Sequence, residues 1–157
     1  MKNQKIGIVR LLTPTDLPRV SELTMRAFMD SVAATLPPEG VTFFEQLATV
    51  EAYGQRMQED NVFYVCEQGD QVQGVIEFKQ GRHIAMMFVD PAHQRKGIGR
   101  ALVETILPHA RQSTITVSAS LTSVSAYQHY GFKLAGEQAE SHGLIYQPME
   151  RILSEEG

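Results

Sequence analysis

The stretch Phe88-Val89-Asp90-Pro91-Ala92-His93-Gln94-Arg95-Lys96-Gly97-Ile98-Gly99-Arg100-Ala101-Leu102-Val103 decides how the rest of the chain is read. It opens as the end of an apolar strand, Ile84 to Val89, and passes through a short loop into an amphipathic helix. Past Gly97, the residues Ile98, Ala101, Leu102, Thr105 and Ile106 have the spacing of one helix face. The two glycines stand where that helix begins, so they do not end it. Glycine there lets backbone N–H groups approach a ligand with no Cβ in the way. The first N–H groups of a helix lack internal partners and lie at the positive end of its dipole, which suits a phosphate. Arg95, Lys96 and Arg100 add positive charge at the same place. The expectation is an anion cradle, suited best to a pyrophosphate. A glycine-rich strand–helix turn without a ligand is the plain alternative.

Two other phosphate loops do not fit. A P-loop needs Lys-Ser/Thr directly after its last glycine, and Gly99 is followed by Arg100-Ala101. A dinucleotide fingerprint needs a third glycine three residues after the second, where this chain has Leu102.

Composition bounds the function classes. A chain of 157 residues fits one domain, residues 1–157, and can bury a real core. Apolar residues make up 43% and charged residues 20%, as in ordinary globular proteins. The net charge is −4 and no basic block exceeds Arg95-Lys96, which argues against nucleic acid as a partner. The longest apolar run, Ile84 to Val89, is far too short to span a bilayer. Ile6 to Val9 is cut off by Arg10, which leaves no signal-peptide core. The single cysteine, Cys66, cannot form an internal disulfide, in keeping with a reducing cytoplasm, and reads as a small buried hydrophobe on a strand. His93, His109, His129 and His142 show no ligand spacing, so no metal site is expected.

Taken in order, Ile6 to Leu12 reads as a strand, and Thr13-Pro14-Thr15-Asp16 as the turn that starts a helix over 16–30. Pro18 is tolerated only in that helix's first turn. Leu36-Pro37-Pro38-Glu39-Gly40 is a break, and a second helix over 42–59 is weakened at Gly54. Strands over 61–67, 71–80 and 83–89 form a meander, the first two joined by Gln68-Gly69-Asp70. The helix after Gly97 stops near Leu107 because Pro108 follows. A strand over 115–119 leads to a short helix over 122–130, with Thr122 as N-cap and Gly131 as C-cap residue. Strands over 132–137 and 144–152 close the chain. The fold class is α/β, a mixed central sheet of about seven strands with helices on both faces, in the order β-αα-βββ-α-β-α-ββ.

A second stretch is informative: Val117 to Phe132 ends in Ala126-Tyr127-Gln128-His129-Tyr130-Gly131-Phe132. The loop Gln94-Arg95-Lys96-Gly97-Ile98-Gly99 after a Val-x-Pro strand end resembles the acyl-coenzyme-A loop of the GNAT acetyltransferase superfamily. The second stretch resembles that family's helix in which a tyrosine stands four residues before a Gly-Phe pair. Two motifs in the family's order, together with the element order, make the resemblance span nearly the whole chain.

The resemblance implies transfer of an acetyl group from acetyl-coenzyme A, as co-substrate, to a primary amine of a small molecule or peptide. Coenzyme contacts fall on Phe88, Val89, Gln94, Arg95, Lys96, Gly97, Ile98, Gly99, Arg100, Ser120 and Ser123. Backbone N–H groups near Phe88 and Val89 are expected to hold the acyl oxygen where strand pairing splays apart. Tyr127 is the expected acid for the departing thiolate, since a phenol pKa of about 10 matches that task. Tyr130 reads as a core aromatic. The sequence departs from the family pattern twice. Ser120 stands where many relatives carry an asparagine, and the strand 84–88 lacks a glutamate base. Glu77 is the nearest catalytic candidate for that base, followed by His83. A solvated surface carboxylate is the other reading of Glu77, and a water chain, or an amine that arrives partly neutral, needs no base residue. The net charge weakly favours a cationic acceptor. The rival class is a non-catalytic acyl-coenzyme-A-binding regulatory module, and an acyl group larger than acetyl is a third reading. The oligomeric state, a homodimer included, lies beyond the sequence.

Overall fold

The computed structural model describes residues 7–153. Strand β1 (Ile8–Leu11) is followed by helices α1 (Leu17–Ser31), α2 (Pro38–Leu47) and α3 (Val50–Arg56). Strands β2 (Asn61–Gln68), β3 (Gln71–Lys79) and β4 (His83–Val89) form the meander. Helix α4 (Ile98–Ile106), strand β5 (Thr114–Ser120) and helix α5 (Val124–His129) come next. The chain continues through β6 (Lys133–Leu134), β7 (Ala139–Ser141) and β8 (Leu144–Ile152). All eight strands join one sheet in the order β1-β2-β3-β4-β5-β8-β6, with β7 also paired to β8. Every pairing is antiparallel except β4 with β5. The sheet is therefore mixed, as expected.

Local chemistry explains the boundaries. Pro18 falls in the first turn of α1, where its missing N–H costs nothing, and the helix buries Leu17, Val20, Leu23, Ala27 and Phe28. The single helix expected over 42–59 is two. Thr49 caps a new helix, its hydroxyl accepting from the Ala52 N–H at 3.0 Å, so the break falls at Thr49 and Gly54 is carried inside α3. Helix α5 is not capped by Thr122 as expected: that hydroxyl donates to the Ser31 carbonyl at 3.1 Å and so reaches across to the end of α1. Strand β6 is shorter than the expected 132–137, because Gly136 leaves the extended region at φ +118. The unexpected β7 pairs with β8 through His142 and Gly143, both at positive φ, as a tight hairpin requires. Of the first expected strand, Ile6 lies outside the described residues.

The sheet separates two cores. One face carries Ile76, Phe78, Ile98, Leu102, Ile106 and Tyr127 under α4 and α5. The other carries Val20, Phe28, Phe44, Tyr53, Phe63 and Val75 under α1, α2 and α3. Strand β3 is buried along almost its whole length because helices cover it on both sides.

Candidate active site

The site begins with a pairing that stops early. Strand β4 pairs with β5 only at His83↔Thr116 and Ile84↔Val117, and beyond Ile84 the two strands separate. On the other edge of β4, Phe78 pairs with Ile84 and Glu77 with Met86, so Ala85 is an extra residue that bends the strand. The Asp90 N–H donates to the Gln73 carbonyl at 2.9 Å. In an antiparallel pair successive residues turn their backbone groups alternately toward and away from the partner. Phe88 therefore turns its N–H to β3, while Met87 and Val89 turn theirs into the gap. Of the N–H groups expected near Phe88 and Val89, those turned to the gap are thus Met87 and Val89, and that of Phe88 is turned to β3. The Val89 carbonyl faces the same gap and accepts from the Gln94 side chain at 3.3 Å.

The gap leads to the start of α4. Gly97 precedes the helix at φ +87, a left-handed conformation that a residue with a Cβ adopts only under strain, and no heavy atom stands within 4 Å of where its Cβ would lie. The helix has no side-chain cap, and its first internal bond runs from the Ala101 N–H to the Gly97 carbonyl. The N–H groups of Ile98, Gly99 and Arg100 are left without internal partners. Arg95 and Lys96 are exposed beside them, with Arg95 itself at φ +69. Lys96 is not part of the cleft wall. Arg100 is engaged: its guanidinium donates to the His129 carbonyl at 2.5 Å and lies 5.7 Å from the Tyr130 ring centre. A Cβ on Gly99 would overlap the Tyr130 hydroxyl, so the missing side chain also lets α4 pack against Tyr130, while Gly99 still lines the cavity.

On the far wall, Ser120 and Ser123 share a hydrogen bond at 2.8 Å between their hydroxyls, and Ser123 also donates to the Ser120 carbonyl. Tyr127 is 4% exposed and is held edge-on by Tyr130 and Phe132, with ring centres 5.7 and 5.4 Å away. Burial raises its phenol well above the ordinary range, so it stays protonated at neutral pH. Tyr127, Ser120, Ser123, Gly97 and the Met87–Val89 edge all line one cavity of about 860 Å³.

The base candidates are not in that cavity. Glu77 is fully buried on the α3 side of the sheet, bonded by Arg56 Nε at 2.8 Å and by Asn61 Nδ2 at 2.6 Å. It is neither a solvated carboxylate nor a group that faces the gap. An acidic residue on a strand flanked by buried positions has to find a cation, and only the tertiary structure reveals that the cation is Arg56. His83 is half-buried at the paired end of β4 and hydrogen-bonds with Thr116 Oγ1 at 2.7 Å; loss of solvation lowers its pKa.

The cavity passes between the separated strands to the other face of the sheet. There it is walled by Phe28, Val32, Leu36, Phe44, Leu47 and Phe88. Phe44 stacks on Phe28 at 4.0 Å and meets Phe88 edge-on at 5.5 Å. Sequence reasoning singled out Phe88 only as a coenzyme contact and did not bring these aromatics together, since their meeting depends on how α1 and α2 cross β4.

A half-paired sheet, an uncapped helix start at the mouth of the gap and a buried phenol across from it fit the acyl-coenzyme-A-dependent transferase that the resemblance implies. The family model described as Acetyltransferase (GNAT) domain matches residues 32–153, and the chain belongs to that family. It is an acetyltransferase, with acetyl-coenzyme A as co-substrate. The chain is 22% identical over 130 residues, 83% of each sequence, to the "Uncharacterized N-acetyltransferase YafP" of Escherichia coli strain K12. Two solved structures share its fold. A GCN5-related N-acetyltransferase from Rhodopseudomonas palustris aligns with TM-score 0.80 at 15% identity, covering 98% of this chain and 99% of that one. The PaiA N-acetyltransferase from Thermoplasma acidophilum, in complex with coenzyme A, aligns with TM-score 0.76 at 19% identity, covering 94% and 99%.

Proposed function

We propose that the chain, acting as one domain, moves the acetyl group to the primary amine of a small molecule or peptide by direct attack of nitrogen on the thioester. One observation carries this reading: a single cavity joins the free N–H groups of Met87 and Val89, the open start of α4 and the protonated phenol of Tyr127. The N–H groups of Ile98 to Arg100 and the charges of Arg95 and Lys96 hold the pyrophosphate. Ser120 and Ser123 face the pantetheine arm with hydroxyls that donate and accept. Acetyl-coenzyme A supplies an activated carbonyl, and the N–H of Met87 or Val89 stabilises the negative charge that develops on its oxygen. Tyr127 protonates the departing sulfur.

The cytoplasm fits the buried free thiol of Cys66, and among the described residues no helix is long and apolar enough to cross a membrane. The rival reading, a coenzyme-binding module without turnover, draws on Ser120 and on the absence of a carboxylate from the cavity wall among the described residues. Thiol release from acetyl-coenzyme A with a panel of amines, alongside calorimetric coenzyme binding, separates the two. Acceptor-dependent release supports the transferase. Tight binding without release on any acceptor supports the module.

A further inference from the structure

The acceptor end of the cavity has a chemistry of its own. Among the described residues that wall the cavity none is an aspartate or glutamate, and the charged arginines, Arg95 and Arg100, stand at the coenzyme end. Of the neighbouring carboxylates, Asp90 is engaged by Arg26 at 2.8 Å and Glu77 by Arg56 at 2.8 Å, while Asp30, exposed outside the wall, accepts from the Ser31 hydroxyl at 3.0 Å. What faces an incoming acceptor is the half-buried Phe88, Val32 and Leu36, backed by the buried Phe28–Phe44 stack, with the uncharged hydroxyls of Ser31, Thr122 and Tyr146 as the polar groups beside them.

We propose that the acceptor is an apolar monoamine, aromatic or alkyl, that enters in its neutral form and is acetylated without a general-base residue. This rests on the transferase reading above. An ammonium group moved into an apolar wall with no counter-charge loses its hydration without repayment, so the neutral amine is the form that enters. A polyamine or aminoglycoside would bring further charges that the wall cannot pair. An aromatic ring, by contrast, finds the faces and edges with which aromatic rings pack. The neutral nitrogen forms the C–N bond with its own lone pair, and the C–S bond breaks. Nitrogen sheds one proton and sulfur gains one, Tyr127 giving its phenolic proton to sulfur and regaining the one that nitrogen releases. The products are the amide and free coenzyme A thiol.

The test compares 2-phenylethylamine, hexylamine, ethanolamine, spermidine and kanamycin as acceptors in a thiol-release assay. The expected result is a kcat/KM for the two apolar amines at least tenfold above the other three. Their kcat/KM should climb with pH in step with the neutral fraction of the amine, and the climb should move to lower pH for the more weakly basic benzylamine. Leu36→Asp, at a half-buried loop position, should lower turnover of 2-phenylethylamine at least tenfold and leave calorimetric affinity for acetyl-coenzyme A unchanged. Preference for spermidine or kanamycin would overturn the inference and leave the transferase standing. A pH profile that ignores the identity of the amine would overturn the base-free step. Coenzyme binding with no release on any acceptor would overturn both this inference and the transferase reading.

Discussion

Gly99 in α4 lies directly against the Tyr130 hydroxyl at the end of α5, and a Cβ on Gly99 would stand 3.0 Å from the Tyr130 Cζ even before the hydroxyl is counted. The contact joins the two informative stretches of the sequence. It also separates the two glycines of the loop. Gly97→Ala should retain the fold, lose about 1 kcal/mol from its left-handed backbone and weaken coenzyme binding by distorting the cradle. Gly99→Ala should destabilise by overpacking, typically about 1–3 kcal/mol. Adding Tyr130→Phe to Gly99→Ala should recover part of the lost stability, while adding it to Gly97→Ala should not. Thermal melts of the four proteins measure this coupling.

Tyr127→Phe keeps the ring that Tyr130 and Phe132 hold and removes only the acidic proton. Turnover should fall by about 10²–10⁴-fold, the usual loss for a general acid, with calorimetric affinity for coenzyme A within about twofold of wild type, an effect below about 0.5 kcal/mol. Unchanged turnover would remove Tyr127 from the mechanism.

Glu77→Gln tests whether the buried carboxylate is structural. It leaves Arg56, with 18% of its side chain exposed, beside an uncharged partner. The expected loss of stability is about 3 kcal/mol, the lower end for breaking a buried pair. The pH–rate profile of the folded variant should overlay that of wild type. A profile that loses its acidic limb would restore Glu77 as a base.

Asp16 governs the acid stability of the first helix. Its buried carboxylate is bonded by Arg10 at 2.9 Å, by Arg19 at 3.0 Å and by the Thr13 backbone at 2.8 Å. The Arg10 guanidinium holds its pKa far below the ordinary carboxylate value. A lowered folded pKa means stability that is fully present above the unfolded value, about 3.9, and is lost as pH falls toward the folded value. The melting temperature contributed by this site should be flat from neutral pH to about 5 and then decline. Asp16→Asn should lower it at neutral pH and flatten the decline, as differential scanning calorimetry would record.

Strand and helix order were legible in the sequence because they rest on local periodicity, on proline and glycine punctuation and on the spacing of apolar side chains. His83–Val89 falls where it was expected, and the helix after Gly97 starts and stops as Gly97 and Pro108 dictate. The two-motif resemblance likewise lies within contiguous stretches, so the family, the co-substrate and Tyr127 as the candidate acid could be read from residues alone. The misread boundaries were decided by competition: Thr49 outweighs Gly54 as the break in the second helix because it caps a new one, and Thr122 spends its hydroxyl on Ser31 instead of capping its own helix.

Tertiary structure decided what depends on residues far apart in the chain. The early end of β4–β5 pairing selects Met87 and Val89 as the exposed N–H groups, since an alternation that looks the same from either edge is fixed only by a partner strand. Arg56 removes Glu77 from the field of bases because a buried carboxylate takes the cation that the fold brings within reach. The crossing of α1 and α2 over β4 brings Phe28, Phe44 and Phe88 into one apolar wall. The two motifs lie in contiguous sequence, whereas the apolar wall forms only where separate elements meet, because it belongs to no single segment.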